Sequence, residues 1–317
     1  DVMIEEREEI EWTNTWIDKA NTNNSRILFI GDSVTRQLRS ELSRFLFEEL
    51  PVDLYASSYA LNDTIFWTSV EQFLNSGYTY EIIIIHYGFH HGFSTMCSSS
   101  HDNYLEYKGN YQKLIDLCKL HSKRIVVMTG TSYVCKNNLS EIDEEWEEEV
   151  LTRNSISKEL AGENNIQLFD MYQLISHSRG EFKYIDHVHL ERKADIFIIY
   201  QLLLSLLKAD THDFGINVFE NLNESFTINN NNVSIYGKGI DGIRNYYRCK
   251  VLRPEVEIIS WYETVLKDDI KTFMGLPIRE LSDYKEGMII ISSIKYADEM
   301  EQELIKRGIK NYLRLKA

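Results

Sequence analysis

The sequence has no apolar run approaching the ~18 residues that a membrane-crossing helix needs. The nearest candidate, Ile196 to Leu207, is short and interrupted by Gln201. No secretory leader is visible at the start. Cysteine is scarce as well. Cys97, Cys118, Cys135 and Cys249 are the four in 317 residues. They are scattered without metal-ligand spacing, which points to free thiols and a reducing, cytoplasmic setting. An excess of positive charge is also lacking: 34 Lys and Arg face 49 Asp and Glu, for a net charge of −15. Nonspecific nucleic-acid binding needs a basic face to displace counterions, so that partner class is excluded. Part of the acid is local. Glu141 to Glu149 holds seven carboxylates in nine residues, expected to be the solvated side of a helix.

What is present is alternation. Hydrophobic residues make up 43% and charged residues 26%, as in a globular protein with room for two domains. Apolar strand candidates fall at 26–30, 52–56, 81–87, 124–130 and 166–169. Helix-like stretches at 34–49, 64–75, 103–121, 141–164 and 193–208 separate them. Strands alternating with helices argue for an α/β fold, a parallel sheet covered on both faces. Ile82 to Ile85 suits a central strand. Residues 1–24, with Ile10, Trp12 and Trp16 as anchors, are expected to form a helical extension packed on this domain at 25–208. Residues 209–230 end in four asparagines and read as a linker. A smaller α/β domain follows at 231–317, with strands at 233–236, 257–260, 288–292 and 312–315.

Gly31-Asp32-Ser33 stands directly behind the first apolar run and opens a helix. A serine at such a turn is exposed at the carboxyl end of a sheet, with the first helix amides beside it. A serine hydroxyl becomes a nucleophile when a base takes its proton, and histidine is the usual base. Late in the domain stands Tyr184-Ile185-Asp186-His187-Val188-His189-Leu190. On a tight loop the spacing of Asp186 and His189 can bring a carboxylate to its own histidine, fixing the tautomer. Read alone, Ser33 is equally a helix N-cap, Asp32 a structural tie for the turn, and Arg36 either a surface residue or a substrate contact. His86, His90, His91, His187 and His189 match no zinc signature, and no metal or other cofactor is expected.

Gly-Asp-Ser after the first strand and Asp-x-x-His before the last helix resemble the SGNH (GDSL) esterase and acyltransferase superfamily. The resemblance covers about residues 25 to 208. It implies a flavodoxin-like parallel sheet sandwiched by helices, Ser33 as nucleophile, His189 as general base and Asp186 as its partner. Family members usually carry Gly-x-Asn after the third strand, where the asparagine helps bind the oxyanion. Here Gly88-Phe89-His90 takes that place, so His90 becomes an oxyanion or substrate residue beside Gly88. That Gly-His variant is similar to the polysaccharide O-acetylation branch. The glycine expected after strand two is absent from Tyr55-Ala56-Ser57-Ser58-Tyr59-Ala60, which leaves the backbone amides of Ser58 or Tyr59 to serve.

In the second domain, Gly237-Lys238-Gly239-Ile240-Asp241-Gly242 matches G-x-G-x-x-G after a strand and before a helix. Gly237, Gly239 and Gly242 are read either as a nucleotide or nucleotide-sugar site or as a turn built for close packing. The acidic residue expected at the end of strand two is missing, with only Glu263 nearby. The domain resembles the small Rossmann-like domains appended to bacterial glycan-modifying enzymes.

The expected function is a serine-dependent carbohydrate O-acyl esterase acting on a bacterial surface or secreted glycan or its precursor. An O-acetyltransferase shares the same acyl-serine. The absence of a membrane acyl-donor module favours the esterase. A non-catalytic glycan- or nucleotide-binding scaffold with a degenerate serine site is the reading of another class.

Overall fold

The computed structural model describes residues 10–22, 25–87, 101–178, 180–209, 226, 228–266 and 270–315. The chain splits into two compact units, Asp1–Arg44 with Glu48–Ile198 and Phe45–Phe47 with Ile199–Ala317. Among the described residues no helix is long and apolar enough to cross a membrane.

The first unit is built on a six-stranded sheet. Its strands are β1 (Thr13–Trp16), β2 (Ile27–Gly31), β3 (Val52–Ser57), β4 (Tyr80–His86), β5 (Ser122–Met128) and β8 (Gln167–Phe169), in the order β1-β3-β2-β4-β5-β8. A small antiparallel hairpin, β6 (Val134–Cys135) and β7 (Asn138–Ile142), stands apart. All sheet neighbours except the β1–β3 pair are parallel. Parallel pairing needs crossovers, which α1 (Ser33–Phe45), α2 (Thr64–Leu74), α3 (His101–Lys119) and α4 (Glu144–Glu163) supply. The short α5 (Met171–His177) and the long α6 (Arg192–Ala209) follow β8. Ile82 to Ile85 are wholly buried, as expected of a central strand covered on both faces. Phe66 packs edge-on against Tyr55 and Tyr87, with ring centroids 5.9 and 5.3 Å apart. Arg26, just before β2, donates from Nε and Nη2 to the two oxygens of Asp53 in β3, both at 2.8 Å. Both residues are buried, so removing either leaves an uncompensated charge.

Two expectations are corrected. Residues 13–16 form an antiparallel edge strand rather than part of a helix, with Asn14 opposite Ala56. Threonine and tryptophan on a short segment fit a pleated edge better than a helical turn. The acidic stretch from Glu141 is not one solvated helix face. Its first residues belong to β7, and Asp143 caps α4 through the Trp146 amide. Glu147 and Glu149 turn inward, Glu149 onto Arg153 at 2.8 Å and Glu147 onto Ser132, Tyr133 and Tyr172. The division between the two units falls inside α6, and most of the expected linker at 209–230 lies outside the described residues.

The second unit has its own six-stranded sheet: β9 (Asn232–Tyr236), β10 (Glu257–Glu263), β11 (Thr272–Phe273), β12 (Leu276–Glu280), β13 (Met288–Ile291) and β14 (Tyr312–Arg314). The order is β11-β12-β10-β9-β13-β14, parallel except at the β11 edge. Helices α7 (Ile240–Leu252) and α8 (Ala297–Lys306) cover it. Strand order reverses between β9 and β13.

Candidate active site

The serine turn is fixed by three local devices. Gly31, the last residue of β2, lies against β4, and a Cβ there would collide with the His86 carbonyl oxygen and Thr35 Oγ1. Asp32 is buried, and its Oδ1 accepts the amide of Val34 at 3.0 Å and that of Thr35 at 3.4 Å. Thr35 Oγ1 accepts in turn from the Asp32 amide at 3.2 Å. The buried His86 ring sets Nδ1 3.4 Å from the same Asp32 oxygen. Asp32 therefore does the capping, and Ser33 is left with its side chain directed elsewhere. The Ser33 amide, first N–H of α1, has no partner among the described residues.

A second loop meets it. Between the bridge partners Tyr184 and Leu190 the chain turns tightly, with the Ile185 amide donating to the His189 carbonyl at 2.8 Å. Asp186 Oδ1 accepts the amides of Val188 at 2.9 Å and His189 at 2.8 Å. Its Oδ2 lies 2.7 Å from His189 Nδ1. One carboxyl thus shapes the loop with one oxygen and orients the imidazole with the other. Burial pushes the Asp186 carboxyl up, but the two amides and the imidazole outweigh it, and the net shift is downward. An ionised Asp186 selects the tautomer with its proton on Nδ1, which leaves Nε2 as an acceptor. His189 Nε2 lies 2.8 Å from Ser33 Oγ across 156 residues of sequence. The arrangement can move a proton off the serine and stabilise the imidazolium that results.

The other expected site residues fall differently. The Ser58 amide donates to the Trp12 carbonyl at 3.0 Å and the Tyr59 amide to Ser57 Oγ at 3.1 Å. Both N–H groups are thus already engaged within the protein, one with the segment leading into β1 and one with the end of β3. Gly88 and His90 lie outside the described residues. Arg36 is exposed, one turn beyond Ser33 on α1, with its guanidinium 5.6 Å from the Trp12 ring centre. His187 turns onto Tyr133 with ring centres 5.0 Å apart.

In the second unit the glycine turn is compact. Gly237 has φ +96°, and a Cβ on Gly242 would strike the Gly237 carbonyl oxygen. Only glycine lets α7 sit this close to the turn. The Gly237 amide donates to the Tyr262 carbonyl at 2.9 Å and the Lys238 amide to Glu263 Oε1 at 3.2 Å. Glu263 proves to be the last residue of β10, so an acidic residue does stand at the end of the unit's second strand. Trp261 and Tyr262 extend that strand because both are buried. Asp241, in the first turn of α7, accepts from Arg244 at 2.6 Å and from the Ile294 amide at 3.3 Å.

No protein-family model matches the sequence, and no curated protein matches it. Among solved structures, Axe2, an acetylxylan esterase from Geobacillus stearothermophilus, is similar at 15% identity and a TM-score of 0.43, over 58% of this chain and 95% of that one. Est24, a carbohydrate acetylesterase from Sinorhizobium meliloti, is similar at 15% identity and a TM-score of 0.44, over 59% of this chain and 100% of its own. The acetyl xylan esterase AlAXEase gives 15% and 0.41 over 58% of this chain and 98% of that one. These are similarities of chain course only, and the chemistry rests on the geometry above.

Proposed function

We propose that this protein is a serine-dependent carbohydrate O-acetyl esterase of the SGNH type, acting on an acylated bacterial glycan. The observation that carries the reading is the continuous chain Ser33 Oγ to His189 Nε2 to Asp186, at 2.8 and 2.7 Å. Ser33 Oγ attacks the acetyl carbonyl carbon while His189 Nε2 takes its proton. The tetrahedral intermediate collapses, the bond to the sugar oxygen breaks, and His189 returns the proton to that oxygen. Water, deprotonated by His189, then attacks the acetyl-Ser33 ester, and acetate leaves as Ser33 regains its proton. Asp186 stays ionised throughout and balances the imidazolium. The Ser33 amide stands where developing oxyanion charge meets the N-terminal end of α1. His90 and Gly88 complete the donor set in this reading, on the sequence resemblance.

The second unit is read as a small Rossmann-like domain whose glycine turn serves packing. Its first amides are held by Tyr262 and Glu263 rather than presented to a phosphate.

Ser33→Ala is expected to lower p-nitrophenyl acetate turnover by about 1000-fold or more with the fold intact by circular dichroism. Turnover unchanged by that substitution overturns the reading.

A further inference from the structure

A groove of about 400 Å³ opens beside the triad, within the size range of small-ligand sites. One wall is α1. Residues three, four, seven, eight and eleven positions past Ser33 share its helix face, and Arg36, Ser40, Glu41 and Arg44 from that stripe line the groove. At ~1.5 Å per residue the wall runs ~12 Å from Arg36 to Arg44. The other wall is Ile185 and Leu190, on the loop that carries Asp186 and His189, followed by Arg192 and Asp195 at the start of α6. The near end thus lies one helical turn from Ser33 and one residue from His189.

The floor is unusual. Glu41 and Asp195 are 2% and 7% exposed. Glu41 Oε2 accepts from Arg192 Nε at 3.3 Å. The Asp195 carboxyl lines the groove, yet it has no hydrogen-bond partner among the described residues. A carboxyl this buried and unbonded is costly for folding alone. Burial and Glu41 push it up to about 8 against the opposing pull of Arg192. At neutral pH it therefore carries a proton and can both donate and accept.

We propose that this groove holds a neutral, hydroxyl-rich sugar residue of the same glycan whose ester Ser33 attacks, an assignment that rests on the esterase reading above. Hydroxyl groups satisfy the Asp195 carboxyl at the floor. Guanidinium groups of Arg36 and Arg44 donate to sugar oxygens, and Ile185 with Leu190 meets the apolar face of the ring. An anionic ligand would have to approach the buried Glu41 carboxylate, and a cationic one three arginines. A neutral polyol suits both sets.

The test titrates the Ser33→Ala protein calorimetrically with xylotetraose, cellotetraose, maltotetraose and tetragalacturonate. At least one neutral tetrasaccharide is expected to bind, weakened about tenfold or more by Asp195→Leu and severalfold by Arg44→Ala. If Asp195→Leu fails to fold, Arg44→Ala decides the matter alone. No neutral binding, preference for tetragalacturonate, or affinity indifferent to the substitutions overturns the proposal. Sugar binding by a wild-type protein without ester turnover would remove the esterase reading and keep the groove. Ester turnover without sugar binding would do the reverse.

Discussion

The two units use the same device to different ends. Each sends its first central strand into a tight turn and then a helix, at the carboxyl end of a parallel sheet. Each turn contains a glycine that a single methyl group would disrupt, Gly31 against His86 and Thr35, Gly242 against Gly237. At the serine turn a buried aspartate takes the second and third amides of α1 and leaves Ser33 free to meet His189. At the glycine turn the local amides are held by Tyr262 and Glu263, and Asp241 fills the helix end. The strand-turn-helix geometry does not by itself make a site. The partners brought from distant sequence do.

That contrast can be broken at either turn. The largest expected effect is on turnover. His189→Ala should match Ser33→Ala, with kcat for p-nitrophenyl acetate down by about 1000-fold, since base and nucleophile act as a unit. Asp186→Asn should cost less, about 100-fold, because its carboxyl is 43% exposed and solvent offers partial compensation. Equal losses in the two variants would assign Asp186 a larger share.

Next come the glycines. Gly31→Ala and Gly242→Ala should each destabilise by about 1–3 kcal/mol, since the added carbon meets backbone that cannot yield. Gly239→Ala, where nothing lies within 4 Å of the added carbon, should change stability by less than about 0.5 kcal/mol. Urea unfolding of the three variants checks the order.

Another effect concerns pH. Asp195 is held up at about 8 in the folded protein, facing Glu41 from α1 and Arg192 on its own helix. Its unfolded value lies near ~4. Between those values the folded state binds more protons, so this group's contribution to stability falls as pH rises from ~4 to about 8 and is level above. Asp195→Asn should remove that slope, and Tm measured from acid to mildly alkaline pH will show it. The smallest expected response is none: ADP, UDP and NAD titrated to about 1 mM should leave the protein's intrinsic tryptophan fluorescence flat. A saturable change would make the glycine turn a nucleotide site.

Much of the first sheet was legible because its strands are short and apolar, and Ile82 to Ile85 has no other stable place. Gly31-Asp32-Ser33 and Asp186-x-x-His189 were legible because each motif is local. Their meeting was not, since 156 residues separate Ser33 from His189. The edge strand Thr13–Trp16 was hidden because pairing with β3, not its own pattern, makes it a strand. That same N-terminal segment takes up the Ser58 amide through the Trp12 carbonyl. Glu263 was missed because the aromatic pair Trp261-Tyr262 does not announce a strand until the sheet buries it. The floor of the groove was invisible for a similar reason. Glu41 and Asp195 sit on helices whose sequences mark them as ordinary surface acids, and only tertiary packing buries them.

The account's central claim is that Ser33 is an activated nucleophile rather than a capping residue. Covalent labelling with a fluorophosphonate, followed by peptide mass spectrometry, tests it most directly. The account predicts stoichiometric modification at Ser33, strongly slowed by His189→Ala. An unmodified Ser33, or labelling indifferent to His189→Ala, would contradict it.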